Sequence, residues 1–195
     1  GTDEVYGSVE IGSSLETDPL DPRSPYSASK AGSDLIASAY FHTYGLPVII
    51  TRCTNNFGSY QYPEKAIPLF TTNLLQGGKV PLYGDGLHQR DWLYVDDHCS
   101  GISTVLEHGA FGDIYNIGAG NETANIDLVT SLLKILNLDN SSIEYVADRP
   151  GHDRRYSVDT SKIRALGWSK VHSIDSALEK TVNWYRDNEW WWGPL

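Results

Sequence analysis

Apolar positions fall in blocks whose period changes along the chain. From Tyr26 to Tyr44 the sequence is rich in Ala and Ser, with Leu35, Ile36, Ala39 and Tyr40 apolar, and Gly45 then Pro47 close the run. That pattern predicts a helix of about five turns. The polar, Pro-rich stretch from Glu16 to Pro25 before it reads as a loop. Val48-Ile49-Ile50 is a short apolar run bounded by turn signals, which predicts a buried parallel strand. Further on, helix over Ile67–Gln76 is followed by strands at Val80–Tyr83 and Trp92–Val95, a helix from about Asp97 to Glu107 and a strand at Ile114–Ile117. A helix at Ile126–Leu136, a strand at Ile143–Val146 and helices at about Thr160–Leu166 and Ser173–Asn188 complete the series. Strands alternating with helices predict an α/β fold with a parallel sheet.

Composition narrows the function classes. Hydrophobic residues make up 40% and charged residues 21%, enough to bury a core and too ordinary for global disorder. A net charge of -10 with no basic run disfavours nucleic acid and anionic membrane as partners. No apolar run approaches the ~18 residues of a spanning helix. The two cysteines, Cys53 and Cys99, lack a framework spacing and read as reduced thiols of a cytoplasmic protein. The chain has no Met and opens abruptly on Gly1-Thr2-Asp3-Glu4, so a preceding N-terminal portion is expected.

Candidate chemistry begins at Tyr26-Ser27-Ala28-Ser29-Lys30. Tyr and Lys four residues apart share a helix face, and an ammonium beside a phenol favours the phenolate needed for acid/base work. About two dozen residues upstream, Thr2-Asp3-Glu4 offers a hydroxyl and two carboxyls together. Taken alone, the first motif reads more readily as an ordinary helix pair and the second as a polar loop or helix cap. Gly118-Ala119-Gly120 lacks the third glycine of a dinucleotide fingerprint and reads as a turn. The six histidines show no metal-ligand spacing, so no metal is expected, and Trp190-Trp191-Trp192 reads as buried packing.

The motifs TDEVYG, YSASK, RCTNNFGSYQYPEK, YGDGLHQRDWLYVDDH and RPGHDRRYSVD occur in an order that resembles the dTDP-glucose 4,6-dehydratases. These are enzymes of the extended short-chain dehydrogenase/reductase type. The adjacent Asp and Glu are the specific element, since related epimerases share the Tyr/Lys pair and generally lack them. The resemblance implies NAD as cofactor and a dTDP-sugar as substrate. It makes Tyr26 the acid/base at the C4 hydroxyl, Lys30 its partner and a ligand of the nicotinamide ribose, and Thr2 a donor to the C4 oxygen. Glu4 becomes the base at C5 and Asp3 the acid for the departing C6 hydroxyl. It gives Asn55, Lys65, Tyr83, Arg90, Asn125 and Arg155 to the nucleotide and its diphosphate.

The same resemblance implies the C-terminal part of a Rossmann-like fold with a smaller sugar-nucleotide-binding domain. Residues 1–57 and about 88–118 are expected in the NAD-binding domain, and residues 58–87 and 119–195 mainly in the substrate domain. The glycine-rich turn that cradles the NAD pyrophosphate belongs well upstream of Tyr26 and is not in this sequence. A homodimer built through the Tyr26–Tyr44 helix is also implied. Two alternatives remain: another nucleotide-sugar converter, such as an epimerase or a UDP-sugar dehydratase, and a non-catalytic sugar-nucleotide-binding module.

Overall fold

The computed structural model describes all 195 residues. A 3-10 turn at Asp3–Tyr6 leads to helix α1 (Pro25–Tyr44) and strands β1 (Ile50–Cys53) and β2 (Asn55–Phe57). Helix α2 (Ala66–Leu75), β3 (Val80–Tyr83), β4 (Gln89–Tyr94), α3 (Val95–His108) and β5 (Ile114–Ile117) follow. The chain continues through β6 (Glu122–Ala124), α4 (Asn125–Leu136), β7 (Ile143–Val146), α5 (Ser161–Ala165), α6 (Ile174–Asp187) and α7 (Glu189–Trp192). Every expected helix is present, and no helix is long and apolar enough to cross a membrane.

Local chemistry fixes the ends of α1. Ser24 accepts from the Ser27 amide, Ser27 returns a bond to the Ser24 amide, and Pro25 stands in the first turn where no intrahelical donor is needed. Gly45, at φ 67°, takes the left-handed conformation that closes the helix.

Strand pairing is mostly parallel. β1 runs beside β5, β2 beside β4 and β3 beside β7, while β6 joins β4 antiparallel. The expected strand at Val48–Ile50 is shifted: Ile50 is its first residue, and it continues through Thr51, Arg52 and Cys53. Pairing with Ile114–Ile117 decides this, and a buried ion pair lets the charged Arg52 lie inside the sheet. The short β6 had no periodic signal of its own and exists through its pairing with Gln89–Asp91.

Two main cores result. Phe57, Ile67, Leu82, Leu128, Leu132 and Leu178 belong to the larger, which joins α2, β3, α4 and α6. Leu93, Val105, Tyr115, Ile117, Ile163 and Trp168 form the smaller, around α3, β5 and α5. Strand β4 serves both: Trp92 and Tyr94 point into the first core and Leu93 into the second, as the two-residue period of a strand requires. The Gly118–Gly120 turn is filled by the Asp91 carboxylate, which accepts from the amides of Ala119, Gly120 and Asn121 at 2.7, 3.1 and 2.8 Å. Burial of the Trp cluster holds for Trp192, whereas Trp190 is 68% exposed.

Candidate active site

Thr2 sits in a parallel bridge with Cys53, so the chain enters the site alongside the end of β1. Its hydroxyl caps the 3-10 turn, accepting from the Glu4 amide at 3.4 Å and donating to Asp3 Oδ1 at 3.3 Å. Asp3 is 3% exposed, and its Oδ2 is buried with no partner. Burial above all, then the charges of Glu4 and Asp91, pushes its carboxyl up to about 7. Glu4 is half-buried and is also raised, chiefly by burial, while Arg90 pulls it down. Two adjacent carboxyls therefore occupy unequal environments, the condition for one to give a proton while the other takes one.

A cavity of about 640 Å³ brings these residues together with Tyr26 and Lys30. Tyr26 stands in the first turn of α1 and Lys30 one turn along. The expected lowering of the Tyr26 pKa is not found. Burial and the neighbouring Glu4 carboxylate raise it, and Lys65 is the leading charge that pulls it down. The reason lies in the fold: α1 sets Tyr26 over the acidic turn, a contact that the Tyr/Lys spacing along one helix does not contain.

The nucleotide residues divide. Asn55 and Lys65 line the cavity, Asn55 with a buried, unpartnered Oδ1 and Lys65 exposed in an ion pair with Glu64 at 3.2 Å. Arg90 is buried, donates to the carbonyls of Gln89 and Asp153 at 2.7 and 2.9 Å, and lies 4.3 Å above the Tyr156 ring. Arg155 pairs with Glu122 at 2.8 Å and donates to the carbonyls of Val9 and Gly12. Asn125 opens α4, its amide bonded to the His88 carbonyl, and Tyr83 ends β3 beneath Arg149. Neither Arg90, Arg155, Asn125 nor Tyr83 lines this cavity.

Arg149 and His152 do line it, and neither was singled out from sequence. The signal available was their place in RPGHDRRY, where the choice among three arginines depends on loop geometry. The fold also gathers His88, Asp148 and His152, with one ligand-type atom from each within 4.8 Å of the others, although their sequence spacing carries no metal pattern.

The family described as GDP-mannose 4,6 dehydratase matches residues 1–181. The dTDP-glucose 4,6-dehydratase of Streptomyces niveus is 52% identical over 195 residues, covering 100% of this chain and 58% of that protein. A crystal structure of DesIV, a dTDP-glucose 4,6-dehydratase from Streptomyces venezuelae with NAD and TYD bound, superposes with a TM-score of 0.97 at 58% identity. It is matched over 99% of this chain and 60% of its own. The UDP-glucose 4-epimerase of Thermotoga maritima, solved with UDP-glucose, gives 0.90 at 30% identity, covering 96% and 62%. The chain thus spans about three-fifths of the length of the relatives it matches.

Proposed function

The chain belongs to the family described as GDP-mannose 4,6 dehydratase, and from that premise we propose that the whole protein converts dTDP-glucose into dTDP-4-keto-6-deoxyglucose. The observation that carries the reading is the Asp3-Glu4 pair. Two adjacent carboxyls, both raised and one buried with a free oxygen, face the same cavity as Thr2, Tyr26 and Lys30. An epimerase has no need of such a pair, because it eliminates nothing.

The residues present fit the nicotinamide half of NAD. Tyr26 and Lys30 line the cavity beside Thr54, whose buried hydroxyl has no partner. When bound, NAD supplies an acceptor for the C4 hydride and its later return to C6. Tyr26, as its phenolate, takes the proton of the C4 hydroxyl; Lys65 favours that form against burial and the Glu4 charge, and Lys30 is assigned to the nicotinamide ribose one turn along the helix. Thr2 donates to the developing C4 carbonyl. The 4-ketone acidifies the C5 proton, Glu4 removes it, and Asp3, whose raised pKa of about 7 keeps a protonated fraction at neutral pH, delivers its proton to the C6 oxygen as water leaves. Lys65 and Arg149 are the cavity cations that meet the diphosphate.

We assign the larger core to sugar-nucleotide binding and the smaller to the cofactor-binding domain. The exposed Leu35, Ile36, Tyr40 and Tyr44 of α1 are proposed as the homodimer surface of a cytoplasmic enzyme. The test is turnover by the full-length protein of dTDP-glucose carrying deuterium at C4. Deuterium at C6 of a 4-keto-6-deoxy product, with no NADH accumulating, is expected. A C4-epimerised product that keeps its C6 hydroxyl overturns the reading.

A further inference from the structure

His152 lines the cavity with Asp148 and His88 behind it, and none of the three is among the residues that do the chemistry. Arg149 Nη2 is 2.8 Å from His152 Nε2. A guanidinium only donates, so Nε2 accepts and the proton of a neutral His152 resides on Nδ1. Nδ1 then donates to Asp148 Oδ1 at 2.7 Å. The other carboxylate oxygen, Oδ2, lies 3.2 Å from His88 Nε2 as an ion-pair contact, and the buried His88 Nδ1 has no partner. The two rings stack at 3.9 Å and 16°, and Arg149 rests 5.2 Å over the Tyr83 ring. The His152 tautomer is thus set by its neighbours.

From this geometry we infer that Asp148 and His152 are positioning residues: a hydrogen-bonded relay, backed by the His88 ring stacked on His152, that holds the Arg149 guanidinium at the cavity wall and releases it on acidification. The inference deepens the proposed function, since it concerns how that site meets its diphosphate. A metal ion in the same place fits less well. Ligation through His152 Nδ1 moves its proton to Nε2, directly against the Arg149 donor.

The relay has a definite pH sense. Charges facing His152 are Asp148, Arg149, His88 and Arg90; those facing His88 are Asp148, Arg154, Arg90 and Asp85. Burial lowers the pKa of both rings from 6.5, so both are neutral at pH 7 and the relay is intact. Protonation of His152 puts an N–H where Arg149 needs an acceptor and sets two cations face to face. Arg149 then leaves the wall. Asparagine at position 152 offers one acceptor and one donor group without titrating, so it preserves the relay and removes its pH dependence.

Two measurements on the full-length protein decide the matter. Nitrogen-15 spectra at pH 7.5 should show His152 protonated at Nδ1. The opposite tautomer at His152, or displacement of both ring signals by equimolar zinc, overturns the relay in favour of a simple surface contact or a metal site. Calorimetric titration with dTDP should show affinity falling about tenfold from pH 7.5 to pH 5, as loss of one charge-assisted hydrogen bond implies. In His152→Asn the affinity at pH 7.5 should stay near wild type and the acid loss should shrink, whereas His152→Ala should bind about tenfold more weakly throughout. Equal acid losses in wild type and His152→Asn overturn the relay. Absence of any dTDP binding with the expected tautomer present counts against the nucleotide reading alone.

Discussion

Asp34 on α1 and Arg52 on β1 form a buried ion pair, Oδ2 to Nε at 2.8 Å, with side chains 7% and 4% exposed. Arg52 also donates to the Tyr6 hydroxyl at 2.7 Å, and Tyr6 donates to Asn116 Oδ1 at 2.9 Å. The pair lies one turn beyond Lys30 on the helix and one residue before Cys53 on the strand. It therefore locks the helix carrying Tyr26 and Lys30 against the segment carrying Thr2, Asp3 and Glu4. Asp34→Ala leaves the guanidinium buried and uncompensated, and should cost ~3–5 kcal/mol of stability. Denaturant unfolding of the two proteins measures it, and a loss within the noise would remove the pair from this role.

Asp3→Asn should stabilise the protein in a pH-dependent way. Folding raises the Asp3 pKa from 3.8 to about 7, so the folded state holds a proton that the unfolded chain has released. Stability from this group is present below pH ~4 and is lost as pH rises toward 7. At ~1.4 kcal/mol per pKa unit, the substitution should gain up to ~4 kcal/mol at pH 8 and nothing at pH 3. Melting curves at the two pH values check this. The same titration gives elimination an alkaline limb near pH 7 in the wild type.

Glu4→Gln should slow elimination by ~10²–10⁴-fold, the usual worth of a positioned base. The readout is washing-in of solvent deuterium at C5 of dTDP-glucose by the full-length protein. Undiminished exchange would take the C5 base away from Glu4.

Arg90→Ala should lower stability even without ligand. The carbonyls of Gln89, Asp153 and Arg154 lose a donor and Tyr156 loses the cation over its ring. The cost should be ~2–4 kcal/mol, measured by denaturant unfolding. A nucleotide diphosphate that engages Arg90 must first draw these donors away. Weakened dTDP binding in this variant therefore needs a folded-state control at the same temperature.

The helices were legible because each carries its own code. Serine and proline before Tyr26 and glycine after Tyr44 set α1 within one residue, whatever packs against it. The α/β class followed from the same local periods. The order of motifs also placed Thr2, Asp3, Glu4, Tyr26 and Lys30 together, and the cavity contains all five.

What the sequence by itself could not decide was set by pairing at a distance. The strand after α1 lies on polar Thr51, Arg52 and Cys53 because β5 supplies the hydrogen bonds and Asp34 the counter-charge. Strand β6 exists through its register with β4. Among the RPGHDRRY arginines, composition is identical and only position differs. Loop geometry turns Arg149 into the cavity, while Glu122 and two carbonyls hold Arg155. The raised Tyr26 belongs to this class as well. A spacing of four residues fixes which side chains share a helix face, but a pKa depends on every charge and every solvent-excluding group around the phenol, and those come from elsewhere in the chain.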